Sequence, residues 1–294
     1  MKVVGISALR SYRQSGVTTR LAVGSVTLGI LAVVAVLVSL SMGPVEIPVS
    51  RVAAIILSMV GLEIGDFGRT EGLVIEQIRL PRIVAGALVG AALGVAGATM
   101  QGLFRNPMAD PGIIGISAGG ALGAVVAIVT GMAGLYFLAL PAFAFIGAIG
   151  ASFLVYGIAI AAGRFSMATL LLAGVAVNAF LSAIVSALIY LLPNIDSLRE
   201  IIFWLAGGLD SRSWEHVQVS APLILGGMAA MFLMSRDLNL LMLGDDEARS
   251  MGVRVGFTRP ALLVAAALAT GAAVAISGII AFVGLVTPHI LRLI

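Results

Sequence analysis

The sequence predicts an all-α bundle of membrane-spanning helices, and three observations support this fold class. Apolar residues make up 60% of the 294 positions and charged residues only 11%, which is typical of polytopic membrane proteins. Long uncharged windows separate the charges, and about 20 apolar residues let one helix cross the bilayer core. The 36 glycines suit such a bundle, because small residues let helices in lipid approach one another closely.

The uncharged windows predict eight spans or part-spans within a single membrane domain over residues 1–294. The first uncharged window, residues 21–45, is longer than the apolar segment of a cleaved signal peptide, so we expect it to be retained as a span. A short helix is expected at 49–60. The predicted spans cover residues 20–42, 80–101, 114–131, 136–162, 167–192, 217–235, 260–277 and the chain from about 279 onward.

The distribution of basic residues predicts the orientation of these spans. With the N-terminus inside, most of the 17 Lys and Arg residues, including Lys2 and Arg164, fall on the inner side, as the positive-inside rule requires. We therefore expect a multi-pass protein of the cytoplasmic (inner) membrane with a cytoplasmic N-terminus. The loop 236–259 then lies inside, and the segments 43–78 and 193–216 lie outside.

A weak internal repeat accompanies this arrangement. Gly90-Ala91-Ala92 and Gly97 recur at a constant offset as Gly271-Ala272-Ala273 and Gly278, and the same offset carries Pro107 onto Pro288. The two copies lie on spans of opposite predicted direction, and inverted repeats are typical of transporters. Chance alignment of two glycine- and alanine-rich helices is the alternative interpretation.

The chain carries no visible means of energising transport or of catalysing a reaction. A P-loop needs a lysine on the phosphates, and the only lysine here is Lys2. The absence of cysteine excludes disulfides and thiolate ligands. Proton or sodium coupling needs ionisable groups inside the membrane, and the predicted spans contain almost none. We therefore predict no catalytic residue, cofactor, metal site or nucleic-acid partner, and expect the energy to come from a partner protein.

The inner loop 236–259 is the predicted place for that partner. An apolar turn or short helix at Leu238–Leu243, which Gly244 ends, is followed by a second short helix. This second helix opens with three acidic residues, where acids favour the positive end of the helix dipole, and Gly252 closes it. A helix lying on lipid is the alternative, but acid-rich helices bind lipid poorly. The predicted coupling residues are Leu243, Gly244, Asp245, Asp246, Glu247, Ala248, Arg249, Ser250, Met251, Gly252 and Val253.

Two further sets of residues carry functional predictions. Arg79 and Arg82 are three positions apart and share one helical face at the outer end of a span. They either anchor that end at lipid headgroups or form a basic patch for an acidic partner. In the fifth span, small or polar residues recur every four positions, and such a stripe either lines a pathway or packs against another helix. Its members are Gly174, Asn178, Ser182 and Ser186.

Taken together, these residues resemble the permease subunits of FecCD-type ABC importers for iron-siderophores, haem and cobalamin. The segments that carry the resemblance are Arg79–Gly120, Trp204–Leu209 with Trp214, Leu243–Val253 and Gly278–Arg292. The resemblance implies a type II importer fold with roughly ten spans per subunit, in a homodimer or a paralogous heterodimer around a central pathway. It also implies two cytoplasmic ATPase subunits docked at the loop 236–259 and an extracytoplasmic substrate-binding protein at the outer face.

The resemblance assigns roles to individual residues of this chain. Arg79 and Arg82 match the outer arginines that meet glutamates of the binding protein. Leu243–Val253 matches the coupling helices, and the fifth-span stripe lies where the family has its pathway-lining helix. Family members continue past Pro288 with two further spans, so the resemblance also implies that the last two spans are missing here, by fragmentation or true truncation.

The leading hypothesis is thus a permease subunit that is not itself an enzyme. It would move a bulky metal chelate, with an iron-siderophore as the first candidate and haem or cobalamin next. The alternative is a secondary transporter that works alone on a small solute.

Overall fold

The computed structural model describes residues 5–62, 65–162, 166–192 and 194–293, with side chains from residue 22 onward and at residue 19. Lys2 and Arg164, which the orientation prediction counts, lie outside the described residues. The same holds for the side chains of the other basic residues before residue 21.

The described residues form α-helices joined by short turns, with no β-strand among them. The α-helices are α1 (Gly5–Ser41), α2 (Val49–Met59), α3 (Arg69–Leu73), α4 (Leu80–Phe104), α5 (Ile116–Val129), α6 (Ala139–Ala161), α7 (Met167–Tyr190), α8 (Ile195–Ala206), α9 (Trp214–Leu233), α10 (Ser235–Leu241), α11 (Asp245–Ser250), α12 (Val255–Ser277) and α13 (Val283–Leu293). Turns of 3-10 helix lie at Pro111–Ile114 and Met132–Gly134, and a π-helix links α3 to α4 at Val74–Arg79. The predicted all-α class is confirmed.

Six helical stretches in the described part of the chain are long and apolar enough to cross a membrane. They are Ala22–Ser41, Arg69–Phe104, Ala139–Ala161, Met167–Tyr190, Trp214–Leu233 and Val255–Ser277. The third and eighth predicted spans appear as the shorter apolar helices α5 and α13, of 14 and 11 residues. The predicted count of eight spans or part-spans therefore agrees with six long helices and two short ones.

The chain divides into two compact units, residues 1–83 with 291–294 and residues 84–290. In the first unit, a small apolar core forms where α1, α2 and the π-helix meet. Its fully buried members are Leu40, Ile47, Val52, Ile55 and Ile75.

The helical stretch that contains α4 begins earlier than the sequence predicts. The predicted span starts near residue 80, because the uncharged window that defines it follows Arg79 and Arg82. Helix instead begins at Arg69 and runs through the π-helix, in which the Leu80 N–H donates to the Ile75 carbonyl. Pro81 lacks an N–H for the α-helical ladder, and the wider turn lies directly before it. π-turns of this kind recur at functional sites.

In the second unit, helices pack through glycine at very short range. A Cβ added to Gly119 on α5 would lie 2.2 Å from the carbonyl oxygen of Gly147 on α6. A Cβ on Gly123 would lie 2.0 Å from the Phe143 carbonyl oxygen. Only glycine permits such backbone approach between membrane helices. Against this pair lies α12, the most fully buried helix of the unit.

The two copies of the proposed repeat differ in backbone structure. Pro107 lies in the irregular break after α4, whereas Pro288 lies inside α13. Gly97 is in the middle of α4, whereas Gly278 follows the end of α12 with a left-handed φ of 67°. The sequence match therefore does not extend to equivalent turns at these positions.

Candidate functional site

The structure separates the two arginines for which the sequence predicts one shared face. Arg79 ends the π-helix and is only 8% exposed, and its guanidinium donates to the carbonyl oxygens of Leu40 and Val45. Arg82 lies on the exposed side of α4. A Cβ at Gly43 would lie 2.6 Å from Arg79 Nη2, so the turn after α1 closes tightly over the guanidinium.

Arg79 therefore binds its own chain at the end of α1. The last carbonyl groups of a helix have no intrahelical donor, and a cation there also suits the helix dipole. Leu40 is the second-last residue of α1, so one Arg79 hydrogen bond satisfies such a carbonyl. The other, to Val45, fixes the turn that follows. In this structure a direct contact between Arg79 and another protein would require that turn to open.

The break after α4 joins that helix to the 3-10 turn at Pro111–Ile114. Arg105 has a left-handed φ of 50°, which is uncommon for a residue with a Cβ. The Asn106 Oδ1 accepts a hydrogen bond from the Met108 N–H at 2.9 Å. The Asp110 carboxylate accepts one from the Gly112 N–H at 2.8 Å and so starts the 3-10 turn. Burial raises the pKa of the Asp110 carboxyl, although the Gly112 hydrogen bond acts in the opposite direction.

The fifth predicted span is α7, and its stripe of Gly174, Asn178, Ser182 and Ser186, here called the α7 stripe, has one half that packs against another element and one half that is exposed. A Cβ on Gly174 would lie 2.1 Å from the Ile113 carbonyl oxygen, and the Asn178 side chain donates to the carbonyl oxygens of Gly112 and Ile113 at 3.2 and 3.3 Å. These two stripe residues hold the 3-10 turn against α7.

The other half of the stripe is exposed. Ser182 and Ser186 line a cavity of about 560 Å³ that also includes the side chains of Asp110, Ser117 and Asn178. Both interpretations of the stripe thus have a structural counterpart, packing at one end and an open polar surface at the other.

The segment between α9 and α12, here called the α10–α11 segment (residues 235–254), forms the two short helices that the sequence predicts. Gly244 separates them with a φ of 151°, and a Cβ there would collide with the Glu247 carboxylate. Gly252 closes α11 with a left-handed φ of 86°, as expected of a glycine C-cap.

One side of the α10–α11 segment is buried and the other is exposed. Leu241, Ala248 and Val253 are buried. Leu243 is 60% and Met251 54% exposed. The predicted coupling residues therefore include some that anchor the segment and others that present a surface with apolar side chains.

A further cavity, which the sequence analysis does not identify, lies beside α8. This Trp204 cavity has a volume of about 450 Å³, and Glu200, Asp210 and Arg212 line it together with Trp204. Burial lowers the pKa of Arg212, and the nearby Asp210 carboxylate partly offsets this. Close backbone packing shapes its floor, since a Cβ on Gly278 would lie 2.3 Å from the Trp204 carbonyl oxygen.

The signal for α8 is present in the sequence. Asn194 caps the helix by accepting from the Asp196 N–H at 2.9 Å, and Gly207 follows its end with a φ of 73°. Asparagine before and glycine after an amphipathic run is a recognised helix signature. Because α8 carries charges and has only 12 residues, it does not appear among the long uncharged windows that predict membrane spans.

Comparison with known proteins gives consistent relationships over most of the chain. Residues 31–294 match the FecCD transport family. The chain is similar to the cobalamin import system permease protein BtuC of Halobacterium salinarum, with 38% identity over 92% of this chain and 81% of the relative. It is also similar to the hemin transport system permease protein HmuU of Yersinia pestis, with 43% identity over 74% of this chain and 65% of that protein.

A solved structure supports the same relationship. The fold resembles that of a metal-chelate type ABC transporter in an inward-facing conformation. The TM-score is 0.78 and the identity 30%, and the match covers 91% of this chain and 80% of the solved one.

Proposed function

Because this chain belongs to the FecCD transport family, we propose that it is the permease subunit of an ABC importer that moves a bulky metal chelate across the cytoplasmic membrane. It is a multi-pass membrane protein. The observation that carries the proposal is the α10–α11 segment, an exposed pair of short helices on a chain whose sequence lacks a P-loop lysine. Such a segment supports docking of a separate ATPase, and this permease does not itself hydrolyse ATP.

In this proposal, the exposed side of the α10–α11 segment contacts the ATPase. Leu243 and Met251 supply apolar side chains, and Asp246 and Arg249 form an exposed ion pair of 3.1 Å beside them. An apolar centre with a charged rim suits a protein interface. The segment lies on the cytoplasmic side, as does the N-terminus.

The binding protein docks at the opposite face, and Arg82 is the arginine that contacts it. Its exposure suits pairing with a carboxylate of a partner. Arg79 supports that contact indirectly, because it holds the turn after α1 by hydrogen bonds to Leu40 and Val45. The docking role predicted for both arginines is thus proposed directly for Arg82 alone.

The chelate passes along the open half of the α7 stripe in a dimer of permease subunits. Ser182 and Ser186 offer weak hydrogen-bonding groups without fixed charge, which suits passage better than tight binding. Gly174 and Asn178 support this surface by holding the 3-10 turn behind it. A secondary transporter is not favoured, because the relatives that match most of this chain are permease proteins of a cobalamin import system and a hemin transport system.

Assembly with an ATPase is the first test. The chain is co-expressed with candidate ABC ATPase and binding-protein subunits from its own source, and the complex is purified through the permease. We expect an ATPase to co-purify and Leu243→Asp to abolish that association, since a charge replaces an apolar contact. Retention of the ATPase by Leu243→Asp would contradict the assigned surface, and ATP-independent uptake by the chain alone would favour a secondary transporter.

The substrate is tested by uptake into proteoliposomes that hold the complete complex. Cyanocobalamin, haemin and ferric ferrichrome represent the three chelate classes. The relatives named for cobalamin and hemin make the first two the better candidates, ahead of the iron-siderophore that the sequence analysis places first. Accumulation of one chelate that requires both ATP and the binding protein is expected. Failure of all three, with active ATPase, would contradict the chelate class.

A further inference from the structure

One carboxylate joins three parts of the second unit. Asp245, the first residue of α11, lies between Arg105 from the break after α4 and Arg259 from the first turns of α12. Arg259 donates from Nη1 to Asp245 Oδ2 at 2.7 Å and from Nη2 to Oδ1. Arg105 donates from Nη2 to the same Oδ1 at 3.3 Å. From the sequence alone, Asp245 is one of several predicted coupling residues.

The Arg259 contact is the more buried of the two. The Arg259 side chain is 12% exposed and that of Asp245 35%. Both terminal nitrogens of Arg259 face Asp245, and its Nε is buried without a hydrogen-bond partner among the described residues. Two parallel hydrogen bonds between a guanidinium and a carboxylate fix orientation as well as distance. Because the Arg259 side chain is largely shielded from water, loss of the carboxylate would leave a nearly buried cation without its counter-charge.

The Arg105 contact ties the same carboxylate to the end of α4. Arg105 Nε and Nη2 both donate to the Leu241 carbonyl oxygen, at 3.1 and 2.6 Å. Leu241 is the last residue of α10 and Asp245 the first of α11, so Arg105 forms hydrogen bonds to both short helices of the segment. The left-handed backbone of Arg105 is disfavoured for a residue with a Cβ, and these contacts offset that cost.

Other charges of α11 do not share this arrangement. Asp246 and Arg249 pair within the helix, with side chains 91% and 63% exposed. Such a pair contributes little to stability and reaches no other element. The acids of α11 therefore differ in role, because Asp245 faces the helix bundle and Asp246 faces solvent.

We propose that Asp245 is a positioning residue that makes the α10–α11 segment move as one body with the end of α4 and the start of α12. This inference rests on the proposed function, in which an ATPase pushes on the exposed side of the segment. The push then reaches the Asn106-Pro107 break through Arg105 and α12 through Arg259. Since Arg105 and Arg259 carry like charges, the carboxylate between them also prevents their mutual repulsion.

The test removes the charge of Asp245 while keeping its shape. Asp245→Asn, Asp245→Glu and the control Asp196→Asn are compared in the complex with the ATPase and the binding protein. Asp196 is an exposed acid on α8 that pairs only weakly with Arg199, at 3.9 Å. We expect Asp245→Asn to keep ATPase association but to reduce the stimulation of ATP hydrolysis by the binding protein about tenfold. Asp245→Glu should recover most of it, and Asp196→Asn should match the unmutated chain.

A distance measurement distinguishes transmission from simple loss of stability. The sequence contains no cysteine, so spin labels can be placed at introduced cysteines without background. Asn239 on α10 and Met108 in the break are both exposed and serve as label sites. We expect one narrow distance distribution with and without ATP in the unmutated chain and in Asp245→Glu, and a broad one in Asp245→Asn.

A double substitution tests whether the two residues act through one contact. We expect Arg105→Gln alone to reduce the stimulation, because it removes the same link to the end of α4, and we expect Arg105→Gln combined with Asp245→Asn to reduce it by less than the sum of the two separate effects. Normal stimulation and a narrow distribution in Asp245→Asn would overturn the inference while leaving the proposed function intact. Lack of any ATPase association by the unmutated chain would instead contradict the proposed function itself.

Discussion

Two nearly buried arginines hold segments of this protein in place, but they bind different kinds of acceptor. Arg79, in the first unit, donates to the backbone carbonyls of Leu40 and Val45. Arg259, in the second unit, donates both terminal nitrogens to the side chain of Asp245. Arg79 thus holds the end of α1 and the turn after it through their backbone carbonyls, whereas Arg259 holds α11 against α12 through one carboxylate.

The difference bears on what each contact can do. Backbone carbonyls are present whatever the sequence, so the Arg79 contact depends on one side chain only, and its two acceptors carry no net charge. The Asp245 contact depends on two charges, and a second cation, Arg105, competes for the same oxygen. We conclude that the Arg79 contact does not depend on an acidic partner, whereas the strength of the Asp245 contact depends on the charges of Arg259 and Arg105. The following predictions test this contrast through the free energy of unfolding of the purified chain in detergent.

The largest effect is expected for Arg79→Met. The substitution keeps much of the side-chain volume but leaves two carbonyl groups in a closed turn without a donor. We expect a loss of about 3 kcal/mol, since hydrogen bonds from charged groups and buried unpaired acceptors are each worth about 1–3 kcal/mol. Chemical denaturation followed by tryptophan fluorescence measures it. Arg79→Lys, which cannot fork between two acceptors, should recover only part of the loss, and full recovery would contradict the two-carbonyl anchor.

A smaller effect is expected for Arg259→Gln. It removes the buried cation but leaves Asp245 paired with Arg105 and partly exposed, so we expect a loss of about 2 kcal/mol, below the usual cost of breaking a fully buried pair. The control is Arg249→Gln, which removes an exposed pair within α11 and should cost less than about 0.5 kcal/mol. Equal losses in the two variants would show that burial does not strengthen the Asp245 contact.

The same contrast explains which parts of the site the sequence could predict. The two short helices of the α10–α11 segment follow from local signals, namely an apolar turn, Gly244, three acids and Gly252. The structure has α11 where predicted, whereas α10 covers Ser235–Leu241 and so begins and ends earlier than the predicted Leu238–Leu243. The grouping of Arg79 with Arg82 relies on regular α-helical spacing. The contact with the end of α1 and the turn after it buries Arg79, whereas Arg82 in the first turn of α4 stays exposed, and that contact has no local signal in the sequence.

The inward role of Asp245 could not be predicted in the same way. Its partners are Arg105, 140 residues away in the chain, and Arg259, 14 residues away on the next helix, and neither carries a local signal that identifies it as a partner of Asp245. Three consecutive acids also look alike in sequence, although only Asp245 turns toward the bundle. Fold class and helix positions thus follow from composition and local pattern, whereas the contacts that join distant elements need the folded structure.

The third prediction concerns Asn178, an uncharged side chain that also donates hydrogen bonds to two backbone carbonyls. Asn178 donates to the carbonyls of Gly112 and Ile113 as Arg79 does to its own pair, but without charge. We expect Asn178→Ala to cost about 1 kcal/mol, the usual net value of a neutral hydrogen bond. Ser186→Ala is the control, because Ser186 donates only to the Ser182 carbonyl of its own helix and should change stability by less than about 0.5 kcal/mol. A loss as large as that of Arg79→Met would show that charge adds nothing to this type of anchor.

The smallest effect on stability is expected where the arginine is exposed. Arg82→Gln should change the free energy of unfolding by less than about 0.5 kcal/mol, as surface substitutions usually do, although Arg82 lies only three residues from Arg79. Its effect should appear in association instead. We expect the affinity for the binding protein to fall about fivefold at an ionic strength of about 0.1 M, and this difference to shrink at about 1 M, where the screening length falls to about 3 Å. Surface plasmon resonance on the reconstituted permease measures both conditions. A large loss of stability with unchanged association would assign Arg82 to the same anchoring role as Arg79, and the contrast between a buried anchor and an exposed contact would then fail.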